Sequence, residues 1–296
     1  MKNISTKNIR TKAVTIMMAC AFIMAPTAYS AAAKKKTENV KEKIAQKFKD
    51  GDRYMNFEIT SKKTVKLTGV KDEYKKRFAS ESDGAKTYLL YIPEKVEYKN
   101  KTYTVNEIGA KAFKGDKKLS SVLYGRTIKK VGKEAFANCT NLITFIDSTA
   151  YAESKNAVKD TDEDVMTYFD SGVEVIGDKA FQNCSNMSII CLGSKIKKIG
   201  SKAFANVGHE VVTIMNENKN LKASGVAKDF FTPSSKCQYV YVYTNVNKKC
   251  YLYDKAEKTA CREKASHSSG FWKIGWDRSP KIIKSTSVKD FLTGKV

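Results

Sequence analysis

Histidine, tryptophan and proline are scarce in this chain. It has two histidines, two tryptophans and four prolines among 296 residues. Two histidines leave little for a multi-histidine metal centre, and four prolines exclude a proline-rich linker. Acidic residues are also few, since 31 Asp and Glu stand against 54 Lys and Arg, a formal net charge of +23. Apolar residues make up 42%, so the chain can bury a sizeable core, and global disorder is excluded.

The motifs of common enzyme classes are missing as well. The sequence contains no G-x-S-x-G, H-E-x-x-H, Walker or G-x-G-x-x-G pattern, and no Cys-x-x-Cys pair. Residues 160–164 mimic the start of a calcium loop, but Val165 stands where that loop requires glycine. We therefore expect no catalytic residues, no metal and no cofactor. A hydrolase in the C-terminal region, around Trp272, Trp276 and Asp277, is the enzyme alternative, although no motif supports it.

Residues 1–30 predict a secretory signal peptide. Lys2, Lys7, Arg10 and Lys12 precede an apolar run over residues 13–25, and small residues follow. The run is too short to span a bilayer, which needs about 20 apolar residues. We expect a secreted, extracellular protein without a transmembrane segment after cleavage, either free or associated with a cell wall.

A repeated template organises the middle of the chain. The pattern Ile/Val-Gly-x-x-Ala-Phe occurs four times, and its glycines are 23, 45 and 23 residues apart. Such a period is typical of leucine-rich repeats, in which stacked units share one core. We predict that the glycines provide positive φ or close approach between coils, and that the phenylalanines stack internally. The residues are Gly109, Phe113, Gly132, Phe136, Gly177, Phe181, Gly200 and Phe204.

An exported protein can form disulfides, so the state of each cysteine matters. Cys139 and Cys184 occupy one further repeat position, and we expect them to be buried free thiols. Cys250 and Cys261 are the best candidates for a disulfide, because a bridge would stabilise a small exported cap.

The 45-residue step has two interpretations. We favour a degenerate repeat over residues 147–170, because Ala157 and Val158 fall where an Ala-Phe pair is expected. The alternative is a loop insertion between two coils that touch directly.

The template resembles the BspA-type leucine-rich-repeat proteins of bacterial surfaces. Residues 91–93 and 103–109 look like an initial repeat of that family, and residues 54–70 look like its N-terminal hairpin. The chain departs from the family pattern at Gly125, where proline is usual, and at Val207, where cysteine is usual. The resemblance implies a β-rich α/β solenoid, a right-handed leucine-rich-repeat superhelix with a parallel sheet on one face. It also implies adhesion to host or microbial surfaces, and it supplies no catalytic residues.

The chain divides into four predicted parts. The signal peptide covers residues 1–30, and residues 31–52 form either a basic amphipathic helix or a disordered arm. The repeat domain covers residues 53–215. A C-terminal capping region covers residues 216–296, in which residues 238–244 and 250–253 predict a hairpin.

Two candidate binding surfaces follow from the repeat register. The first is a mostly apolar row on the open side of the parallel sheet, since side chains alternate along strands. Either it binds a ligand, or the C-terminal region or a dimer mate covers it. Its members are Ser121, Leu123, Thr144, Ile146, Tyr168, Ile189 and Cys191.

The second surface is a ribbon of lysines at equivalent repeat positions. It is either a solvated face or a site for polyanions. Its members are Lys129, Lys130, Lys133, Lys197, Lys198 and Lys202. The leading hypothesis is a non-enzymatic binding protein that recognises a protein or a polysaccharide or other wall polymer at a cell surface. Attachment to a wall or polyanion through the ribbon is the alternative, and the sequence leaves the oligomeric state open.

Overall fold

Stacked coils, each with one long and one short strand, form most of the described molecule. The structure is a computed structural model that describes residues 54–82, 85–147, 166–167, 171–254, 259–268, 271–274, 281–283 and 287–296. The predicted signal peptide, the segment 31–52 and Tyr168 lie outside these residues. Among the residues described, no helix is long and apolar enough to cross a membrane.

The elements follow one another in chain order. The first half contains β1 (Met55–Ile59), β2 (Thr64–Val70), α1 (Asp72–Arg77), β3 (Ala79–Ser82), β4 (Ala85–Ile92), β5 (Lys95–Tyr98), β6 (Lys101–Ile108), β7 (Leu119–Tyr124), β8 (Lys130–Val131), β9 (Thr144–Asp147), β10 (Met166–Thr167) and β11 (Val175–Ile176). The second half contains β12 (Ile189–Leu192), β13 (Lys198–Ile199), β14 (Phe204–Val207), β15 (Val211–Asn216), β16 (Phe231–Pro233), β17 (Tyr239–Thr244), β18 (Lys249–Asp254), β19 (Thr259–Ser268), β20 (Phe271–Ile274), β21 (Lys281–Ile283) and α2 (Val288–Leu292).

Two parallel ladders run along the stack. The short-strand sheet joins β2, β6, β8, β11 and β13 in that order, and Val226 extends it by bridging to Ile199. The long strands form two groups, β4-β7-β9 and β12-β15-β17, and the described strands β9 and β12 are not paired with each other. The β-rich repeat solenoid implied by the sequence is therefore present.

The 45-residue step is an insertion. Val131 in β8 pairs directly with Ile176 in β11, so the coils on either side of the step are neighbours. The only described strand within residues 148–170, β10, pairs with β20 and with no strand of the coils. The favoured interpretation of residues 147–170 as a degenerate repeat is wrong, because no further coil fits between strands that already share hydrogen bonds.

The template glycines serve close approach between coils. A Cβ on Gly132 would lie 2.5 Å from the backbone nitrogen of Ala110, and one on Gly177 would lie 2.7 Å from that of Lys133. None of the four template glycines has a positive φ. The left-handed conformation falls instead two residues later, on Lys111, Glu134, Lys179 and Lys202, with φ between 53° and 59°.

A second left-handed position follows each template phenylalanine by two residues. It is occupied by Gly115 and by Asn138, Asn183 and Asn206, and asparagine tolerates this conformation better than most residues. The asparagines also form a ladder, since Asn183 Nδ2 donates to Asn138 Oδ1 at 2.7 Å and Asn206 Nδ2 donates to Asn183 Oδ1 at 3.0 Å. The turn is therefore specified twice, by conformation and by side-chain hydrogen bonds.

The template phenylalanines form a column inside the solenoid. Phe113, Phe136, Phe181 and Phe204 stack with successive ring centroids 5.2 Å apart. Cys139 and Cys184 are buried free thiols beside this column, as expected. The Cys139 thiol donates to the Phe113 carbonyl at 2.9 Å, and the Cys184 thiol donates to the Phe136 carbonyl at 3.1 Å.

Both ends of the stack are closed by packed elements. At the first coil, the β1–β2 hairpin is antiparallel and β2 starts the short-strand sheet. The fully buried Tyr74 of α1 donates its hydroxyl hydrogen to the Leu89 carbonyl. At the last coil, β17 and β18 form the predicted hairpin, and Phe291 of α2 stacks on Tyr251 at 4.6 Å.

The solenoid extends past the boundary expected at residue 215. β15 spans that boundary and pairs in parallel with β17, so the long-strand ladder continues to Thr244. The template letters disappear after about residue 216, but the coil geometry does not. The antiparallel strands from β18 onward form the described cap.

Candidate binding surfaces

The long strands present one continuous apolar face away from the phenylalanine column. We call it the outer face. Along one row, Tyr91, Leu123 and Ile146 are register partners on β4, β7 and β9. Along the corresponding row of the second group lie Cys191, Met215, Tyr243 and Cys250. A parallel row includes Ile189, Thr213, Tyr241 and Leu252.

This face is covered. Leu123 and Ile146 are 5% exposed and Ile189 is 7% exposed, while Ser121, Thr144 and Cys191 are half-buried. The expectation of an open apolar row is therefore wrong, and the alternative of a covered row describes the molecule. The physical reason is the size of the surface: an apolar patch that spans many strands is rarely left in water. Tyr168, its remaining predicted member, lies outside the described residues.

The lysine ribbon is exposed, but carboxylates interrupt it. In the short-strand sheet, Lys130 pairs with Glu107 and is followed by Val175 and Lys198. The Lys130 Nζ lies 3.1 Å from the Glu107 carboxylate. Lys129, Lys133, Lys198 and Lys202 are exposed as well. The ribbon is therefore a mixed-charge surface in which lysine predominates.

Glu174 lies at the centre of one lysine cluster. Its carboxylate accepts a 2.6 Å hydrogen bond from Lys197 Nζ, and its backbone links the coils of Lys129 and Lys197. The hydrogen bond to Lys197, with the charges of Lys197, Lys129 and Lys195, holds the pKa of Glu174 below its ordinary value. One carboxylate thus interacts with three ammonium groups, so this cluster carries excess positive charge.

Glu134 lies at the centre of a second cluster. Its carboxylate pairs with Lys114. That hydrogen bond, with the charges of Lys114, Lys111 and Lys133, lowers the pKa of Glu134. Sequence reasoning missed Lys111, Lys114 and Lys195, together with both central glutamates. The available signal was that Lys111 and Glu134 occupy the same template position.

The cleft that the described residues form is small, and they bring together no donor set for a metal. A cleft beside Tyr124, Phe145 and Cys191 has a volume of only about 20 Å³, which suits one water molecule. In the described part of the chain, no group of three His, Cys, Asp or Glu side chains is placed to hold a metal ion. The Cys191 thiol there has a pKa raised by burial and by the nearby Glu217.

Comparison with known proteins identifies the repeats. Residues 106–227 match the family model of the BspA type leucine rich repeat region, in six copies. A search of the curated proteins finds no match. BspA-type repeats occur in bacterial surface proteins, which is compatible with a non-enzymatic binding role and with a surface or extracellular location.

Solved structures of leucine-rich-repeat proteins are similar in part. A protein from Bacteroides ovatus is 19% identical with a TM-score of 0.40, over 66% of this chain and 46% of that chain. The pneumococcal vaccine antigen PcpA is 18% identical with a TM-score of 0.38, over 68% and 52%. A leucine rich cell surface protein from Faecalibacterium prausnitzii is 16% identical with a TM-score of 0.30, over 72% and 57%.

This chain spans about half the length of those proteins. Residues 106–227 of this chain are therefore BspA-type leucine-rich repeats.

Proposed function

We propose that this protein is a secreted, non-enzymatic binding protein that attaches to an anionic polymer at a cell surface through its exposed lysines. The observation that carries the proposal is the pair of exposed lysine clusters at Glu174 and Glu134. In each cluster one lysine pairs with the carboxylate, and the charges of two further lysines act on it. The leading hypothesis from the sequence was recognition of a protein or polymer at a cell surface. The apolar row offers little open surface for such recognition, because Leu123, Ile146 and Ile189 in it are buried.

The spacing of the lysines suits a charged polymer better than a single small anion. Neighbouring coils are separated by about 4.8 Å, the distance between paired strands. Lys129 and Lys197 stand on either side of the Glu174 coil, so about two such spacings separate their backbones. A chain of regularly spaced phosphate, sulfate or carboxylate groups can contact several ammonium groups at once, and each contact releases counterions.

Charge reversal in the Glu174 cluster tests the proposal. We expect the triple variant Lys129→Glu, Lys195→Glu and Lys197→Glu to elute from immobilised heparin and from purified anionic wall polymer at much lower salt than the unmodified protein. The matched control reverses three exposed lysines near the N-terminal end of the stack, Lys62 and Lys63 of the β1–β2 turn and Lys101 of β6. It makes the same change in net charge, and we expect it to elute near the unmodified protein.

Two outcomes contradict the proposal. Equal losses of retention in the two triple variants mean that net charge alone attracts the polymer. Failure of the unmodified protein to bind any anionic polymer at low salt excludes this ligand class. A complementary variant, Glu174→Gln, removes the central negative charge and should raise the salt concentration needed for elution.

A further inference from the structure

The outer face is too apolar and too deeply buried to be the bare surface of a sheet. Met215 and Tyr243 are 2% and 1% exposed, and Tyr241 is 5% exposed. Tyr241 and Tyr243 lie on the same side of β17, with ring centroids 6.4 Å apart. The cluster also contains Leu123, Ile146, Ile189, Val211 and Cys250.

A single sheet cannot bury its own face. Burial on this scale needs a second layer about 10 Å away. The phenylalanine column is on the other side of the long strands and cannot supply that layer. Because the structure contains one chain, the covering layer belongs to the same polypeptide.

The strand pairing brings two distant parts of the chain together near this face. Residues 259–264 of β19 pair with β18, whereas residues 265–268 of β19 pair with β20. β20 in turn pairs with β10, which is part of the insertion. The insertion and the C-terminal strands are therefore joined in one small sheet, formed by β10, β20 and residues 265–268. We call it the cover sheet.

The length of the chain after β10 limits where the cover sheet can lie. Four peptide steps separate Thr167 from Ser171, and they span at most about 14 Å. Ser171 lies against Gly193, which directly follows β12, since a Cβ on Gly193 would be 2.4 Å from the Ser171 nitrogen. If the sheet continued flat past the outer edge of β19, β10 would be six strands from β12, or about 29 Å away. The cover sheet must therefore turn back toward β12.

We infer that the cover sheet lies across the outer face and is the layer that buries its apolar rows. The connection between its two halves is short, because β10 and β20 share two residue pairs, Met166 with Trp272 and Thr167 with Phe271. The outer face is thus an internal docking surface for the chain's own cover sheet. A ligand reaches it only when that sheet is displaced. This inference does not depend on the lysine clusters.

The natural cysteines report on the two faces separately. Cys191 belongs to the outer-face cluster, whereas Cys139 and Cys184 lie in the inner core. Alkylation of the intact protein, followed by peptide mass spectrometry, measures how fast each thiol becomes accessible. Burial raises the pKa of each of these thiols, so opening of either layer increases reactivity at a fixed pH.

The first variant weakens the connection. Thr167→Pro removes a backbone donor from β10 and disfavours its pairing with β20. We expect alkylation of Cys191 to become at least about tenfold faster, while Cys139 and Cys184 keep their unmodified rates. No change at Cys191 would overturn the inference. If all three thiols react faster, the variant has lost its core, and the second variant decides.

The second variant strengthens the connection. Cysteines introduced at Thr167 and Phe271, which are cross-strand partners, can form a disulfide that locks β10 to β20. Oxidation should slow alkylation of Cys191. The matched control places a disulfide at the partners Glu58 and Lys66, on the β1–β2 hairpin, and should leave the Cys191 rate unchanged. Equal effects of the two disulfides, or none from either, would contradict the assignment of the cover sheet to this face.

Discussion

The repeat template places particular side chains in the core, and among them are two buried thiols. Cys139 and Cys184 fill one position in neighbouring coils, and each donates to the carbonyl of the template phenylalanine in the coil before its own. Their free, buried state was predictable, because cysteine packs as a small hydrophobic residue. The distance between them was not, because it depended on whether the 45-residue step held a coil.

Alkaline pH should destabilise the protein through these thiols. Burial raises the pKa of Cys139 from 9.0 to about 12, and Cys184 shifts in the same direction. Above pH 9 the unfolded chain releases protons that the folded chain retains. The free energy of unfolding should then fall by about 1.4 kcal/mol per pH unit for each such group.

Urea unfolding between pH 7 and pH 10.5 measures this effect. The curve should be nearly insensitive to these thiols below pH 8, where both states keep the proton. Cys139→Ala should show a shallower fall above pH 9, because one retained proton is gone. Parallel curves for the variant and the unmodified protein would show that this thiol ionises equally in both states.

At the level of the element, two different requirements determine the turns of each coil. Close approach between coils requires glycine at the template position, and the left-handed turns use asparagine or a long polar residue instead. From the sequence alone, the template glycines could provide either positive φ or close approach between coils. Only the stacked coils show which role applies, because the approach of one backbone to another is a tertiary property.

Substitution of Gly177 should therefore cost more than substitution of a left-handed glycine. Alanine at Gly177 places a Cβ 2.7 Å from the backbone nitrogen of Lys133, and we expect a loss of about 2 kcal/mol or more in the free energy of unfolding. The control is Gly115→Ala, where φ is +78° and nothing lies within 4 Å. It should cost about 1 kcal/mol from conformation alone. Similar losses in chemical denaturation would argue against close approach as the reason for Gly177.

The whole molecule is a stack in which each coil contacts mainly its neighbours. In such an array, a local defect loosens adjacent coils more than distant ones. Two features set how far a defect spreads. The long strands form two groups that are not paired between β9 and β12, whereas the short-strand sheet is continuous. It should therefore be possible to open the cap at one end of the stack without opening the cap at the other.

Phe291→Ser should open the C-terminal end selectively. Phe291 is fully buried and stacks on Tyr251, so the polar substitution removes the contact that docks α2 on the β17–β18 hairpin. Hydrogen exchange should accelerate in residues 239–254 and remain unchanged in β2 and β6. Uniform acceleration along the chain would indicate one cooperative unit instead of a stack with separable ends.

The sequence by itself determined the coil. Repeats of 23 residues with glycine and phenylalanine at fixed positions can bury their apolar side chains in a common core only by stacking. It also determined the excess of lysine at exposed positions. The tertiary structure alone decided that the 45-residue step is an insertion, since strand pairing between residues far apart is not encoded in local spacing. It likewise decided which carboxylates stand among the lysines and that the apolar row is covered, because both depend on contacts between distant segments.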